Sequence, residues 1–200
     1  MTDNYKRIAR ENLARLYRHL PDDLDARMGA ERIDKTYAFT AFGQACCLSP
    51  DGITLDGGTA PGVIGILLSL YALNAAREAC VLEPLKAFKE FPATAPYVGA
   101  FASHTEHILV PAVPRIKNNL DAIRHALGGG MPPASIGGDF ALLVRPLPKI
   151  CLSYIIYEAD EDFPASVTCL YSNNADAFMP VDGLADVGEY TSRRILQVIG

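Results

Sequence analysis

Apolar residues recur with a helical period at the start of the chain. In "MTDNYKRIARENLARLYRHL" Tyr5, Ala9, Leu13, Leu16 and Leu20 follow one another at spacings of four, four, three and four, which sets them on one face of an amphipathic helix that ends at Pro21. "DDLDARMG" predicts a short helix closed by Gly29, a residue free to take the left-handed conformation that finishes a helix. The period then changes. In "TYAFTAFGQACCLSPDGITLDGG" β-branched and aromatic residues alternate with small ones as far as the turn formers Pro50, Asp51 and Gly52, the pattern of two or three antiparallel strands.

"TAPGVIGILLSLYALNAA", Thr59 to Ala76, approaches the length of a membrane span, but Ser69, Tyr71 and Asn74 interrupt it and Pro61 with Gly62 weaken its start. It reads as a buried central helix, with Thr59 as its cap and Pro61 in its first turn. "VGAFASHTEHILV" is helical until Pro111 and Pro114, and Ile116, Leu120, Ile123 and Leu127 form the stripe of a further helix ended by Gly128, Gly129 and Gly130. From Asp139 to Tyr171 three strands are expected, with turns at Pro146-Leu147-Pro148 and at an acidic stretch. A last helix starts at Asp182, with Leu184, Val187, Ile195 and Val198 inward and Arg193 and Arg194 near its C-terminal end. Strand clusters with internal hairpins, separated by helical runs, predict an antiparallel α+β fold in a single domain over residues 1–200.

Half of the 200 residues are hydrophobic, enough to bury a substantial core, and the net charge of −5 is spread along the chain. A nucleic-acid groove would need a concentrated basic face, so no nucleic-acid partner is expected. The first segment lacks the apolar core of a leader peptide, and no membrane partner and a cytoplasmic location are expected. The five cysteines include no C-x-x-C pair, and all are expected as reduced thiols packed in the interior. Cys46 and Cys47 are adjacent, so on a strand they point to opposite faces and do not chelate one ion.

Candidate chemistry concentrates in two places. Glu158, Asp160, Glu161 and Asp162 lie between two strands, where they either converge on a hard cation or form the solvated tip of a hairpin anchored by Phe163 and Pro164. In "GGDF", Gly137 and Gly138 allow close backbone approach and Asp139 opens a strand, as a ligand acceptor or as a turn device. An antiparallel pairing of the strand after Asp139 with the strand ending at Glu158 brings the two to one edge of the sheet. Arg145 points away from Leu142 and Val144 and is free to meet an acid or an anion. His104 and His107, three apart in "HTEH", have the spacing for a shared metal but no identifiable third ligand. No nucleophile elbow, P-loop or dinucleotide fingerprint occurs.

The order of "FGQACCLSPDG" (Phe42 to Gly52), "LLSLYALNAA" (Leu67 to Ala76), "GGDFALLVRPLPKI" (Gly137 to Ile150), "YEADEDFPASVTCLY" (Tyr157 to Tyr171) and "FMPVDGLADVG" (Phe178 to Gly188) resembles the DUF3786 family of anaerobic bacteria and archaea. None of these segments is a known catalytic signature. Some relatives carry a four-cysteine iron–sulfur segment before this domain, which implies a setting in anaerobic redox or one-carbon metabolism; this chain lacks that segment, so the resemblance implies an iron–sulfur or corrinoid protein as a partner. Beside a purely structural oligomerisation domain, which would show a large apolar interface and no pocket, two readings of function follow. One is a non-catalytic module that binds a small ligand or docks a redox partner. The other is an enzyme in which Asp139, Glu158 and Asp160 serve as acid/base groups or metal ligands. The candidate ligand-binding residues are Gly138, Asp139, Arg145, Glu158 and Asp160.

Overall fold

A computed structural model describes residues 2–200. The expected change of period is visible as two separate antiparallel sheets. The first is a meander in chain order of β1 (Glu31–Ile33), β2 (Thr36–Ala41), β3 (Gln44–Ser49), β4 (Gly52–Leu55) and β5 (Gly58–Thr59). The second has the order β6-β9-β8-β7, built from β6 (Lys86–Ala87), β7 (Phe140–Leu147), β8 (Ile150–Tyr157) and β9 (Ser166–Tyr171). The helices are α1 (Thr2–Arg18), α2 (Leu24–Met28), α3 (Gly62–Asn74), α4 (Val98–Phe101), α5 (Val113–Asn118), α6 (Leu120–Ala126) and α7 (Val181–Ile199). The architecture is antiparallel α+β, as the strand and helix patterns imply.

α3 is apolar on every side, and a helix of that composition belongs in the interior. Ile64, Leu67, Leu68, Tyr71 and Ala72 are buried, and the Tyr71 hydroxyl donates to the Met28 carbonyl at 2.6 Å. Leu13 and Leu16 of α1 pack on it, where Gly65 lets Ala9 come close. No helix among the described residues is long and apolar enough to cross a membrane. Thr59 does not cap α3. It lies in β5, where its backbone pairs with Thr54 of β4, and Pro61, extended at φ −70° and ψ 142°, carries the chain into the helix without a side-chain cap. Strand pairing took the residue that local propensity assigned to the cap.

The prolines of the middle segment change the helix rather than end it. After α4 the chain continues through one π-helical turn (Ala102–Glu106) and a 3-10 segment (His107–Ala112) that contains Pro111, while Pro114 stands in the first turn of α5, where its missing amide costs nothing. The helix expected across residues 116–127 is broken at Asn119, at φ −124° and ψ 20°, whose side-chain amide donates to the Arg115 carbonyl. The restart turns Leu120 partly outward, whereas Ile116, Ile123 and Leu127 remain buried.

The two halves meet at the β2–β3 turn. Phe42 (φ 52°) and Gly43 (φ 77°) are both left-handed, the geometry of a two-residue hairpin. The Phe42 amide donates to the Pro146 carbonyl of β7 at 2.7 Å, and its buried ring meets Tyr190 of α7 edge-on at 4.6 Å between centroids. A Cβ on Gly43 would lie 1.8 Å from the Ala126 carbonyl oxygen, so only glycine fits. β7 and β8 pair from Phe140↔Ile156 to Val144↔Leu152, and a register shift before Leu147↔Ile150 accommodates Pro146, which has no amide to contribute. Buried hydroxyls tie α7 to this sheet: Tyr171 donates to the Leu184 carbonyl, and Ser192 bonds both Tyr154 and the Thr105 carbonyl.

Ile123→Ala is expected to lower stability by about 2–5 kcal/mol through transfer and cavity terms, and Leu120→Ala by no more than about half as much. Urea unfolding of the two variants checks this. Equal losses would contradict the break at Asn119.

Candidate functional site

The β7–β8 register brings Asp139 to the end of β8, as its position in "GGDF" implied. Asp139, Glu158 and Asp160 each already have a partner within the fold. Asp139 Oδ2 accepts the Glu158 amide at 2.7 Å, while its own amide donates to the Ile156 carbonyl. Glu158 is ion-paired with Lys117 of α5. Asp160 Oδ1 accepts the amides of Asp162 at 2.9 Å and Phe163 at 2.7 Å, an Asx turn. Gly138 takes φ 93°, and a Cβ there would come within 2.9 Å of the Ile156 carbonyl oxygen. Phe163 does not anchor the loop: it is 70% exposed. Arg145 stands apart from these residues, near the opposite end of β7. His104 contacts Glu189 at 3.2 Å rather than forming a pair with His107, and no group of three or more His, Cys, Asp or Glu side chains among the described residues is placed to hold a metal.

A different constellation lies at the other end of the β7–β8 hairpin. The Sγ atoms of Cys80 and Cys151 are 3.9 Å apart, although the residues are separated by 71 positions. Cys151 is the second residue of β8 and is buried; Cys80 lies in the loop after α3 and is half-buried. Several bonds fix that loop. Lys149 Nζ, in the β7–β8 turn, donates to the carbonyls of Ala76 at 3.3 Å and Glu78 at 2.9 Å. Asn174 Nδ2 donates to the Ala79 carbonyl, and its Oδ1 accepts the Val81 amide. On the other side the Cys151 amide donates to Ser172 Oγ, and the Ser172 amide to the Cys151 carbonyl. Arg145 follows the last regular pair, Val144↔Leu152, and its guanidinium donates to the Pro148 carbonyl at 2.9 Å.

The surroundings separate the two thiols chemically. A hydrogen bond from Cys151, against the opposing effect of partial burial, and with help from the Ser172 hydroxyl and the Arg145 guanidinium, brings Cys80 down to about 6. Cys151 moves the other way, because the Cys80 sulfur holds its proton as a hydrogen bond and burial disfavours a second anion. The surroundings thus favour the charged form on half-buried Cys80 and the neutral thiol on buried Cys151. The other buried cysteines are inert by comparison, with burial pushing Cys46 up to about 12 and Cys169 well above its ordinary value. Interior packing was expected for all five cysteines. It holds for Cys46, Cys151 and Cys169, while Cys47 and Cys80 are half-buried. No local signal marks the pair, because only the tertiary fold brings the loop after α3 onto β8.

A family model described as a domain of unknown function (DUF3786) matches residues 20–194. Comparison with curated proteins and with solved structures finds no match.

Alkylation by iodoacetamide should label Cys80 first, at a rate that rises with pH through about 6 and levels off by neutrality, as the thiolate forms. Cys151→Ser should move that midpoint upward by weakening the hydrogen bond to the thiolate. Peptide mapping across a pH series reads both; equal labelling of Cys47 and Cys80 would contradict the assignment. Asp139→Ala should cost about 0.5–1 kcal/mol by removing the acceptor of the exposed Glu158 amide and leave Cys80 labelling unchanged, as thermal melts and the same mapping would show.

Proposed function

The chain belongs to the DUF3786 family, whose description names no activity, and from its thiol pair we propose that it is a dithiol–disulfide accessory module for a redox partner. The approach of Cys80 to Cys151 carries the reading. A half-buried cysteine sulfur within 3.9 Å of a buried one is the arrangement that thiol–disulfide exchange requires, since one sulfur must be accessible to attack and the second must be close enough to resolve the adduct.

In this reading Cys80 Sγ attacks one sulfur of a disulfide on the partner. The partner's S–S bond breaks, a bond forms to Cys80, and the departing thiolate is protonated at the expense of Cys151. The resulting Cys151 thiolate attacks Cys80 Sγ, closes the intramolecular disulfide and expels the second thiolate, which takes a proton from water. Two electrons pass from the protein's sulfurs to the partner's. The reverse sequence oxidises a partner dithiol. Arg145 and Ser172 hold negative charge on Cys80 in both directions, as nucleophile and as leaving group. The family resemblance supplies the setting of anaerobic redox or one-carbon metabolism, which makes an iron–sulfur or corrinoid protein the partner to test first. The reading in which Asp139, Glu158 and Asp160 act as acid/base groups or metal ligands ranks second, because they would have to release the amides and the Lys117 ammonium that they now hold.

Incubation in a glutathione redox buffer followed by mass spectrometry without reductant is expected to show loss of two hydrogens, located at Cys80 and Cys151. Cys151→Ser should accumulate a mixed disulfide at Cys80, and Cys80→Ser should accumulate none at Cys151. If the wild-type protein forms no such bond, or Cys151→Ser fails to trap the adduct, the proposal is wrong.

A further inference from the structure

A cavity of about 380 Å³ lies between the segment formed by α4 and the π-helical turn and the first half of α7. Apart from His104, its charged lining is acidic: Asp182, Asp186 and Glu189 face it, and no Lys or Arg does. The three carboxylates differ in what they already hold. Glu189 is paired with Arg193 at 2.6 Å and with His104 Nδ1 at 3.2 Å. Asp182 Oδ1 accepts the Gly183 amide at 2.9 Å, and neither Asp182 nor Asp186 has a basic partner among the described residues. Desolvation, and then the charges of Glu189 and Asp182, raise the Asp186 carboxyl above its ordinary value.

A second feature of the same cavity is independent of charge. Thr105 lies in the π-helical turn, is fully buried and lines the cavity, yet its hydroxyl has no hydrogen-bond partner in the fold. A threonine inside an α-helix can return its hydroxyl to a carbonyl one turn back. The wider π turn leaves that bond unmade, and a buried hydroxyl without a partner costs stability that a bound molecule can restore. Tyr97 and Phe101 add aromatic rings to the wall, with Phe101 held by stacking on Phe88 at 4.3 Å between centroids.

We infer that this cavity binds a linear diamine, with its two ammonium groups on Asp182 and Asp186 and its methylenes against Tyr97 and Phe101. Two carboxylates without a cation call for two positive charges. Four residues of α-helix rise about 6 Å, which matches the separation of the nitrogens in extended 1,4-diaminobutane. No three His, Cys, Asp or Glu side chains among the described residues converge to hold a metal, so charge spread along a chain fits this lining better than a single ion does. Aromatic faces attract ammonium groups and cover the methylenes between them, and the Thr105 hydroxyl supplies an acceptor for an ammonium N–H. The volume is that of a small-molecule site. The cavity shares no residue with the thiol pair, so the inference goes beyond the dithiol reading and does not depend on it.

Calorimetric titration of the full chain with 1,4-diaminobutane, butylamine, ethylenediamine and 1,4-butanediol separates charge from spacing. The expected result is one 1,4-diaminobutane per chain, bound at least about fivefold more tightly than butylamine or ethylenediamine, the worth of one partly covered ion pair. The diol should give no binding, and added salt should weaken the diamine. Asp186→Asn, or equally Asp182→Asn, should bring the diamine down to the affinity of butylamine. Thr105→Val keeps the shape, removes the hydroxyl, and should weaken binding without lowering the melting temperature. Asp51→Asn removes the same charge from the exposed β3–β4 turn and should change nothing. No binding of the diamine at millimolar concentration, equal affinity for butylamine, or an affinity that survives both Asp186→Asn and Thr105→Val would overturn the inference. So would a lysine-rich peptide that binds more tightly than the diamine and is lost in Asp186→Asn, because it would assign these carboxylates to a protein partner.

Discussion

The packing of the molecule depends on one close approach, that of the Phe42–Gly43 turn against α6, α7 and β7. A hairpin tip ordinarily faces solvent. Here it is driven into the second half of the protein, with a buried aromatic ring at one left-handed position and a residue without a side chain at the next. The Ala126 carbonyl fills the space that any Cβ on Gly43 would occupy. Burial of Phe42 against Tyr190 outweighs the backbone cost of a non-glycine residue in that conformation, and the amide bond to Pro146 sets the direction in which the two sheets meet.

That bond reaches the thiols through the β7–β8 hairpin. Pro146 is irregular within its strand, and its carbonyl, held by Phe42, fixes the stretch that leads to the turn. Lys149 in the turn reaches back to the loop after α3, and Asn174 grips the same loop from the other side. Cys80 is thus placed by three segments distant in sequence from one another. Its position is a property of the assembled fold, and so is the separation in acidity between it and Cys151.

This dependence explains what could be read in advance. Periodicity identified α1, α3 and α7, the alternating runs of both sheets, and the glycine that closes α2, because those features follow from a few neighbouring residues. The β7–β8 register was legible too, and with it the meeting of Asp139 with the end of β8. The use made of that meeting was not legible: a carboxylate beside a glycine serves a ligand or an amide equally well until the amide is seen at 2.7 Å. Thr59 was misassigned because strand pairing and helix capping compete for the same residue, and pairing won. The thiol pair left no trace in spacing, since the 71 positions between its members hold no motif that folds them together.

The strand order carries a consequence for how the chain comes together. In the first sheet every strand pairs with its neighbour in sequence, and in the second β7, β8 and β9 do the same. Such ladders close short loops, whose entropy cost is small, and can form while distant parts of the chain are still unfolded. The contacts of Phe42 and Gly43 with residues 126, 146 and 190 span 83 to 148 positions, so their loop-closure cost is the larger one. Assembly of this protein is therefore expected to run in two tiers, with local meanders as the early structures and the docking of one upon the other as the slow, committing event.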